Sequence, residues 1–223
     1  MSLMRFLGTP LVADLVAFFI ALIAIFIFEW VKRPCIEVEL KESGVYADIP
    51  EGLNKRKRAR IAHLTAFNRP IYRNWIQRNT ATNCRSKITV KDAAGNILHN
   101  EVETKWAARE EPFRTIALTP ADVPVLEIKD YLVGQCNRLD IYANDDGEPF
   151  AIALKVNDDP NCYLFKGESY RSTNQWRLPE YQIPLGNFTI DVYVKGDNGK
   201  SSTKRYRLLN SGTTPQGLTL ESV

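Results

Sequence analysis

The chain has 223 residues, and its 29 lysine and arginine residues against 26 aspartate and glutamate residues leave a formal net charge of only +3. That near balance argues against a general nucleic-acid binder whose whole surface is basic. Four irregularly spaced cysteines and only two histidines disfavour a zinc site. The chain is long enough to bury a core without disulfides or metal, and no cofactor is predicted.

An unbroken apolar run follows a short N-terminal segment, residues 1–10. The run covers residues 11–31 and is followed at once by Lys32 and Arg33. An α-helix rises about 1.5 Å per residue, so this run is long enough for the roughly 30 Å hydrocarbon core of a bilayer. Residues 15–28 contain no polar side chain, unlike a helix on a small domain. The pattern predicts a retained single-pass transmembrane helix rather than a cleaved signal peptide, which would have a shorter apolar region.

Side chains near the ends of this helix indicate how it lies in a membrane. Trp30 is typical of an interfacial aromatic anchor, and Lys32 with Arg33 is typical of contact with lipid phosphates. Asp14 lies about one turn from the start of the span, where the head-group region or a partner helix can accommodate a carboxylate. The excess of lysine and arginine after the helix favours a cytoplasmic C-terminal domain.

The rest of the chain predicts short strands separated by turns. Residues 36–41 and 60–67 alternate apolar and polar side chains, which is the period of a strand with one buried face. Residues 84–91 and 97–102 flank a turn rich in Asp, Gly and Asn, and therefore predict a hairpin. Further short strands are expected at residues 114–118, 138–143, 149–155 and 162–166.

The clearest pattern lies near the C-terminus. Four apolar residues point to one side of a strand: Phe188, Ile190, Val192 and Val194. A Gly-Asp-Asn-Gly turn follows, and residues 202–209 return as a basic, exposed strand. Residues 211–223 are polar and predict a disordered tail. Many short strands with turns between them predict an all-β antiparallel sandwich over residues 32–210.

The segment Gly186 to Val194, GNFTIDVYV, resembles the closing strand G-x-[YF]-x-[IV]-x-V-x-V of immunoglobulin-like and fibronectin type III-like domains. Residues 61–68 are similar to an early strand of such domains. The resemblance implies an immunoglobulin-like fold and, because such domains mostly serve as adhesive, scaffolding or assembly modules, a binding role. The insertion over residues 69–83 departs from a minimal sandwich, and the Cys-Trp-Cys core pattern is absent. No residue role is carried over.

Two groups of basic and aromatic residues are the candidate contact sites. The first can contact anionic lipid at about 1 kcal/mol per residue, contact a partner, or remain a solvated strand edge. It consists of Lys55, Arg56, Lys57, Arg58 and Arg60. Nuclear targeting or RNA contact is a further reading, which the membrane span disfavours. The second group, Tyr72 and Trp75 with nearby arginines, is typical of a protein interface or of a loop held by its own aromatics. Together they predict that the region 54–78 faces a partner.

Metal and catalytic motifs are weak. Residues 144–148 and 157–161 are rich in Asp and Asn, which suit a hard cation, but neither has EF-hand spacing and β-turns need the same residues. No metal is therefore assigned. The sequence contains no GxSxG, HExxH, Walker or Rossmann pattern, and no catalytic residue is assigned.

The leading interpretation is a non-enzymatic, single-pass, membrane-anchored β-sandwich that acts as a binding or assembly module. Its expected contacts are membrane lipid and a protein partner, with neither nucleic acid nor a small-molecule substrate evident. One alternative is an accessory structural subunit that contacts a larger membrane complex through Asp14. Another is a membrane-anchored hydrolase, which would need a cleft with convergent carboxylates.

Overall fold

The structure, a computed structural model, describes residues 10–41, 44–50, 56–71, 77–118, 124–143, 146–172 and 174–223. An N-terminal helix, α1, spans Pro10–Val31. Its large apolar side chains are exposed, from 49% at Leu15 to 75% at Phe26. Over Val12–Val31 the helix is long and apolar enough to cross a membrane, with 0% of the most apolar window buried against the rest of the protein.

The remaining described residues are mostly antiparallel β-structure in two six-stranded sheets. Sheet A consists of β1 (Ile36–Glu39), β2 (Val45–Pro50), β3 (Arg56–Asn68), β9 (Glu148–Val156), β10 (Cys162–Leu164) and β11 (Gln182–Ile183). Sheet B consists of β4 (Ala81–Lys91), β5 (Ile97–Glu103), β8 (Leu139–Ile141), β12 (Gly186–Lys195), β13 (Ser202–Asn210) and β14 (Leu218–Ser222). A separate hairpin, β6 (Phe113–Leu118) and β7 (Pro124–Ile128), precedes the short helix α2 (Asp130–Gln135).

One hydrophobic cluster joins the two sheets. Sheet A contributes alternate residues of β3, such as Leu64, and sheet B contributes alternate residues of β4 and β12, such as Ile88 and Ile190. Trp106 is fully buried in this cluster, with its ring 5.3 Å from that of Phe150. The predicted hairpin of residues 84–91 and 97–102 is confirmed as β4 and β5. The predicted inward face of β12 is confirmed as well, because its four apolar side chains are buried.

The prediction of one buried face on β3 is wrong, because residues 59–68 are all buried. The second face is covered by a smaller cluster in which Phe165 and Tyr170 pack against β3 and β9, with Trp176 against their rings. A strand that is covered on both faces no longer needs polar residues at alternate positions. The covering segment is more than 90 residues away in the sequence, so local periodicity carries no sign of it.

The prediction of a disordered tail over residues 211–223 is wrong, because this segment is ordered. A 3-10 turn at Pro215–Gly217 leads into β14, which pairs antiparallel with β13. Leu218 and Leu220 enter the shared core. Their period-two spacing, together with the free edge of β13, is enough to add a last strand to sheet B.

A buried lysine ties sheet A to sheet B at the end of the β domain that contains Pro160. Lys155 is fully buried, and its Nζ donates to Asn210 Oδ1 at 2.6 Å and to Pro160 O at 3.0 Å. The Asn210 amide donates in turn to the carbonyls of Ile183 and Pro184. Burial lowers the pKa of Lys155. Its hydrogen bonds offset part of the cost of removing the ammonium from water.

His63 makes the stability of the β domain depend on pH. Burial, with a smaller effect of Lys105, lowers the pKa of His63 from 6.5 to about 4. As pH falls below about 6.5, the imidazole of the unfolded chain takes up a proton while the buried imidazole of the folded chain stays neutral. The contribution of His63 to folding stability is therefore fully present above pH 6.5 and is lost as the pH falls toward 4. We expect this residue to contribute a loss of up to about 3 kcal/mol.

The substitution His63→Gln should flatten the pH dependence of urea unfolding between neutral pH and about pH 4. The full chain in lipid nanodiscs is the sample, and His99→Gln, on the partly exposed strand β5, is the matched control. An unchanged slope in His63→Gln would contradict the assignment.

Candidate functional site

The end of α1 is joined to the β domain without a flexible linker. Three backbone groups of the exit segment, residues 32–35, are hydrogen-bonded to distant parts of the chain. The bonds are Asn79 N to Lys32 O at 2.8 Å, Lys200 N to Pro34 O at 3.1 Å, and Cys35 N to Asn68 Oδ1 at 3.2 Å. The exit segment therefore contacts the end of β3, the segment before β4 and the turn between β12 and β13 within a few residues of the helix end.

Arg78 binds the carbonyl end of α1. Its guanidinium donates to Arg33 O at 2.7 Å, to Arg69 O at 3.0 Å and to Val31 O at 3.4 Å. Val31 is the last residue of the helix, and the last carbonyls of a helix have no partner within it. A cation at this end is also favoured by the helix dipole. Arg78 thus caps α1 and holds it against the loop that follows β3.

Asn68 and Gly199 complete the contact. Asn68 is fully buried at the end of β3, and its amide donates to Asn79 O at 2.8 Å and to Ile141 O at 3.2 Å. At Gly199, a Cβ would lie 3.0 Å from Pro34 Cβ and 3.1 Å from Pro34 O. The turn between β12 and β13 can approach the exit segment this closely because position 199 has no side chain.

Three cations and an aromatic ring surround the helix exit, and we call Trp30, Lys32, Arg33 and Lys200 the exit collar. Trp30 is 63% exposed, and Lys200 Nζ lies 5.7 Å from its ring centroid. Lys32 Nζ lies 4.2 Å from the ring centroid of Phe28. Cations beside an exposed indole are the arrangement expected at a lipid head-group layer.

The arginines described between residues 56 and 78 lie toward both ends of β3, with Arg69 and Arg78 at the helix exit. Asn68 lies at the helix exit, whereas Arg56 begins the same strand, whose 13 residues extend about 40 Å at about 3.3 Å per residue. The basic residues Arg56 to Arg60 therefore lie at the other end of β3. Lys55, Tyr72 and Trp75 lie outside the described residues.

At that far end, Tyr46 and two arginines form a stack, which we call the Arg-Tyr stack. The Arg58 guanidinium lies 4.6 Å and that of Arg60 5.7 Å from the Tyr46 ring centroid. Tyr46 and Arg58 are exposed, whereas Arg60 is only 9% exposed. Arg56 is on the same face of β3 by its even spacing, and is also exposed.

The acidic turns have structural contacts where they are described. Asp159 Oδ2 accepts from Arg177 Nη1 at 2.6 Å and from Tyr163 Oη at 3.1 Å, and its Oδ1 accepts from Asn161 N at 2.9 Å. Residues 144 and 145 lie outside the described residues. Within the described ranges, no three His, Cys, Asp or Glu side chains are arranged to hold a metal ion.

The four cysteines are free thiols. Cys84, Cys136 and Cys162 are buried, and burial raises the pKa of Cys84 and of Cys162 to about 12. Such thiols have little nucleophilic thiolate. Cys35, in the exit segment, is partly exposed.

Of the residues singled out from the sequence, Trp30 lies beside Lys200 and Lys32 beside the ring of Phe28. Arg33 is exposed at the helix exit, and Asp14 is exposed on α1.

Lys200 and Asn68 were not predicted as part of this site, because their contacts with the exit join residues far apart in the sequence. Arg78 is one of the arginines near Tyr72 and Trp75 in the insertion over residues 69–83, and nothing in that pattern predicts its contact with the helix end. In comparisons with family models, curated proteins and solved structures, no match to this chain was found.

The substitution Arg78→Gln should loosen the helix exit, because Gln cannot reach all three carbonyls at once. We expect a stability loss of about 2 kcal/mol and a faster-moving spin label on Cys35, measured by electron paramagnetic resonance of the full chain in nanodiscs. Arg207→Gln, an exposed arginine paired with Glu221, is the matched control. A spectrum as immobile as that of the unsubstituted chain would contradict the role of Arg78.

Proposed function

We propose that the chain is a single-pass membrane protein whose β domain is an immunoglobulin-like sandwich and serves as a non-enzymatic binding or assembly module. The observation that carries this proposal is the direct junction between an exposed apolar helix and a folded β domain. Two antiparallel sheets around one cluster, with alternating burial on β12, support the sandwich.

The exposure of α1 supports the membrane span. Its phenylalanine, isoleucine and leucine side chains would form a large apolar surface in water, which soluble monomers rarely tolerate. A bilayer removes that surface from water, and a helix satisfies its backbone groups internally there. The capped exit then restricts the β domain to one position beside the membrane, which raises its effective concentration near another membrane component.

The exit collar supports contact with anionic head groups. Its three cations lie where α1 would leave the hydrocarbon layer, and each can contribute about 1 kcal/mol of attraction to an anionic leaflet. Lys32 and Arg33 directly follow the span, so the same charges favour a cytoplasmic β domain.

The Arg-Tyr stack supports a separate contact with a protein partner. It lies at the end of β3 opposite the helix exit, and exposed Tyr and Arg side chains are enriched among the residues that dominate binding energy. Arg56 and Arg58 give this surface a positive charge. Asp48 of β2 lies opposite Arg58 where β2 pairs with β3. The matching partner presents an acidic surface.

The preference of the chain for anionic over zwitterionic lipid tests whether the exit collar contacts lipid head groups. The triple variant Lys32→Gln, Arg33→Gln, Lys200→Gln should lose about 3 kcal/mol of preference for anionic over zwitterionic lipid, roughly a hundredfold. Native mass spectrometry of the full chain released from mixed nanodiscs measures the lipids retained.

The matched control for this test is Arg56→Gln with Arg58→Gln, which removes two cations at the other end of β3. This variant should keep the lipid preference. Equal loss in both variants, or no loss in the triple variant, would refute the collar as the lipid contact.

An accessory subunit of a larger membrane complex is the second candidate, favoured by the exposed carboxylate of Asp14 on an otherwise apolar stretch of helix. A partner helix that satisfies this carboxylate would hold the chain in a complex after detergent extraction. Asp14→Asn should then release the chain on size-exclusion chromatography. Elution of the unsubstituted chain by itself would exclude this candidate.

A further inference from the structure

The strand β2 forms a free edge of sheet A. It pairs antiparallel with β3, from Val45 opposite Ile61 to Pro50 opposite Arg56, and this register contains no bulge. No other described strand pairs with β2. The edge strand β5, in contrast, has two register shifts, which disfavour pairing at an edge. A regular free edge presents backbone N–H and C=O groups that another extended segment can bind.

The backbone polar groups of Tyr46 and Asp48 point toward this free edge. In an antiparallel sheet, the N–H and C=O of one residue point to the same neighbouring strand, and successive residues alternate between the two neighbours. Asn157, which directly follows β9, donates its N–H to Arg58 O at 2.9 Å, so the polar groups of Arg58 point toward β9. Because Arg58 lies opposite Asp48, the N–H and C=O of Asp48 point away from β3. Those of Tyr46, two residues earlier, do the same.

The edge is complementary to a second copy of β2 placed antiparallel to the first. When the two-fold axis passes through Ala47, Tyr46 lies opposite Asp48 of the second copy, and each such pair exchanges backbone hydrogen bonds through the groups that point to the edge. A register with Asp48 opposite itself would place like charges in contact, which is destabilising. The register about Ala47 avoids that contact.

The charges agree with this register. Asp48 is exposed, and it has no ion-pair partner among the described residues. The Arg58 guanidinium lies 4.6 Å from the Tyr46 ring centroid, so it extends from β3 toward the free edge. In the paired arrangement the carboxylate of Asp48 from the second copy lies opposite Tyr46 and therefore beside this guanidinium. Each copy supplies both the acidic and the basic group.

The other face of β2 gains apolar contact from the same pairing. Ile49 is fully buried in the smaller cluster, which also contains Ile61, whereas Val45 is 45% exposed. With the axis at Ala47, Val45 lies opposite Ile49 of the second copy. Pairing therefore removes an exposed apolar side chain from water, which adds to the backbone hydrogen bonds.

The two-fold axis also determines where the two helices leave the dimer. Ala47 lies opposite Ala59, and Asn68 at the helix exit is about 30 Å farther along β3 at about 3.3 Å per residue. The axis carries the exit of the second copy to the opposite end of the paired sheets, so the two exits are about 60 Å apart. This arrangement suits copies that are anchored in two facing bilayers.

We propose that the partner of the Arg-Tyr stack is a second copy of this chain, which adds its β2 antiparallel to β2 of the first and joins the two copies of sheet A. The inference rests on the proposed function of the β domain as a binding module and names its partner. The acidic group that the Arg-Tyr stack contacts is then Asp48 of the second copy.

The substitution Ala47→Cys, in a chain that also carries Cys35→Ser, tests the pairing. Residues on the axis form a non-hydrogen-bonded pair with Cα atoms about 4.5 Å apart, which a disulfide can bridge. We expect mild oxidation to link full chains from separate nanodiscs that hold one chain each. Ala94→Cys, in the exposed turn after β4, is the matched control and should stay monomeric.

An Ala47→Cys chain that links no more than the Ala94→Cys control would overturn the proposal. The acidic partner of the Arg-Tyr stack would then be a different protein, and the proposed function of the β domain would still stand.

Two charge reversals in the Ala47→Cys chain test the register. Asp48→Arg and Arg58→Asp each place like charges together in the dimer, so each variant alone should form at least tenfold less disulfide dimer. Mixed in equal amounts, the two variants should form it again, because both contacts between the copies are then complementary. No recovery in the mixture would overturn the proposal. The comparison of Ala47→Cys with Ala94→Cys decides if either variant fails to fold.

Hydrogen exchange separates strand pairing from contact through side chains alone. In single chains the N–H groups of Tyr46 and Asp48 should exchange with solvent quickly, because they point to the free edge. In the Ala47→Cys dimer we expect both to exchange at least tenfold more slowly. Equal rates in the monomer and the dimer would overturn strand pairing.

Discussion

The hydrogen bonds from Arg78 to the carbonyl oxygens at the end of α1 fix the relation between the helix and the β domain. Without them, the last carbonyls of α1 would need water or lipid head groups as partners. Because the same guanidinium also binds Arg69 O, it links the helix end to the residue that follows β3. The buried Asn68 amide adds bonds to the exit segment and to β8. The β domain therefore has a fixed position relative to α1, which a flexible linker would not give it.

The length of β3 then determines which surfaces can act together. It is the longest strand described, it pairs with β1, β2 and β9, and its residues from Arg58 to Asn68 separate the Arg-Tyr stack from the helix exit by about 30 Å. The proposed lipid contact and the proposed partner contact therefore lie toward different ends of β3.

Local patterns predicted most strands but few of the contacts between them. Period-two alternation located β4 and β12 because each buries one face against a shared core. The turn after β4 predicted β5, of which only Val102 is buried. The alternation pattern did not predict β2, which starts after a glycine and ends on a proline. It also did not predict β14, which has few apolar residues to bury. The double burial of β3 could not be predicted, because the covering cluster comes from residues 165–176.

Thiol labelling in washed membranes tests the central claim most directly, namely that α1 anchors the β domain on the cytoplasmic side. Cys35→Ser removes the partly exposed thiol, and Ala94→Cys adds one in the exposed turn between β4 and β5. An impermeant reagent is applied before or after permeabilisation, and the chain is then recovered from alkali-washed membranes. We predict recovery in the membrane pellet with labelling only after permeabilisation. Loss of the chain from the pellet would contradict the anchor, and labelling of intact cells would contradict the orientation.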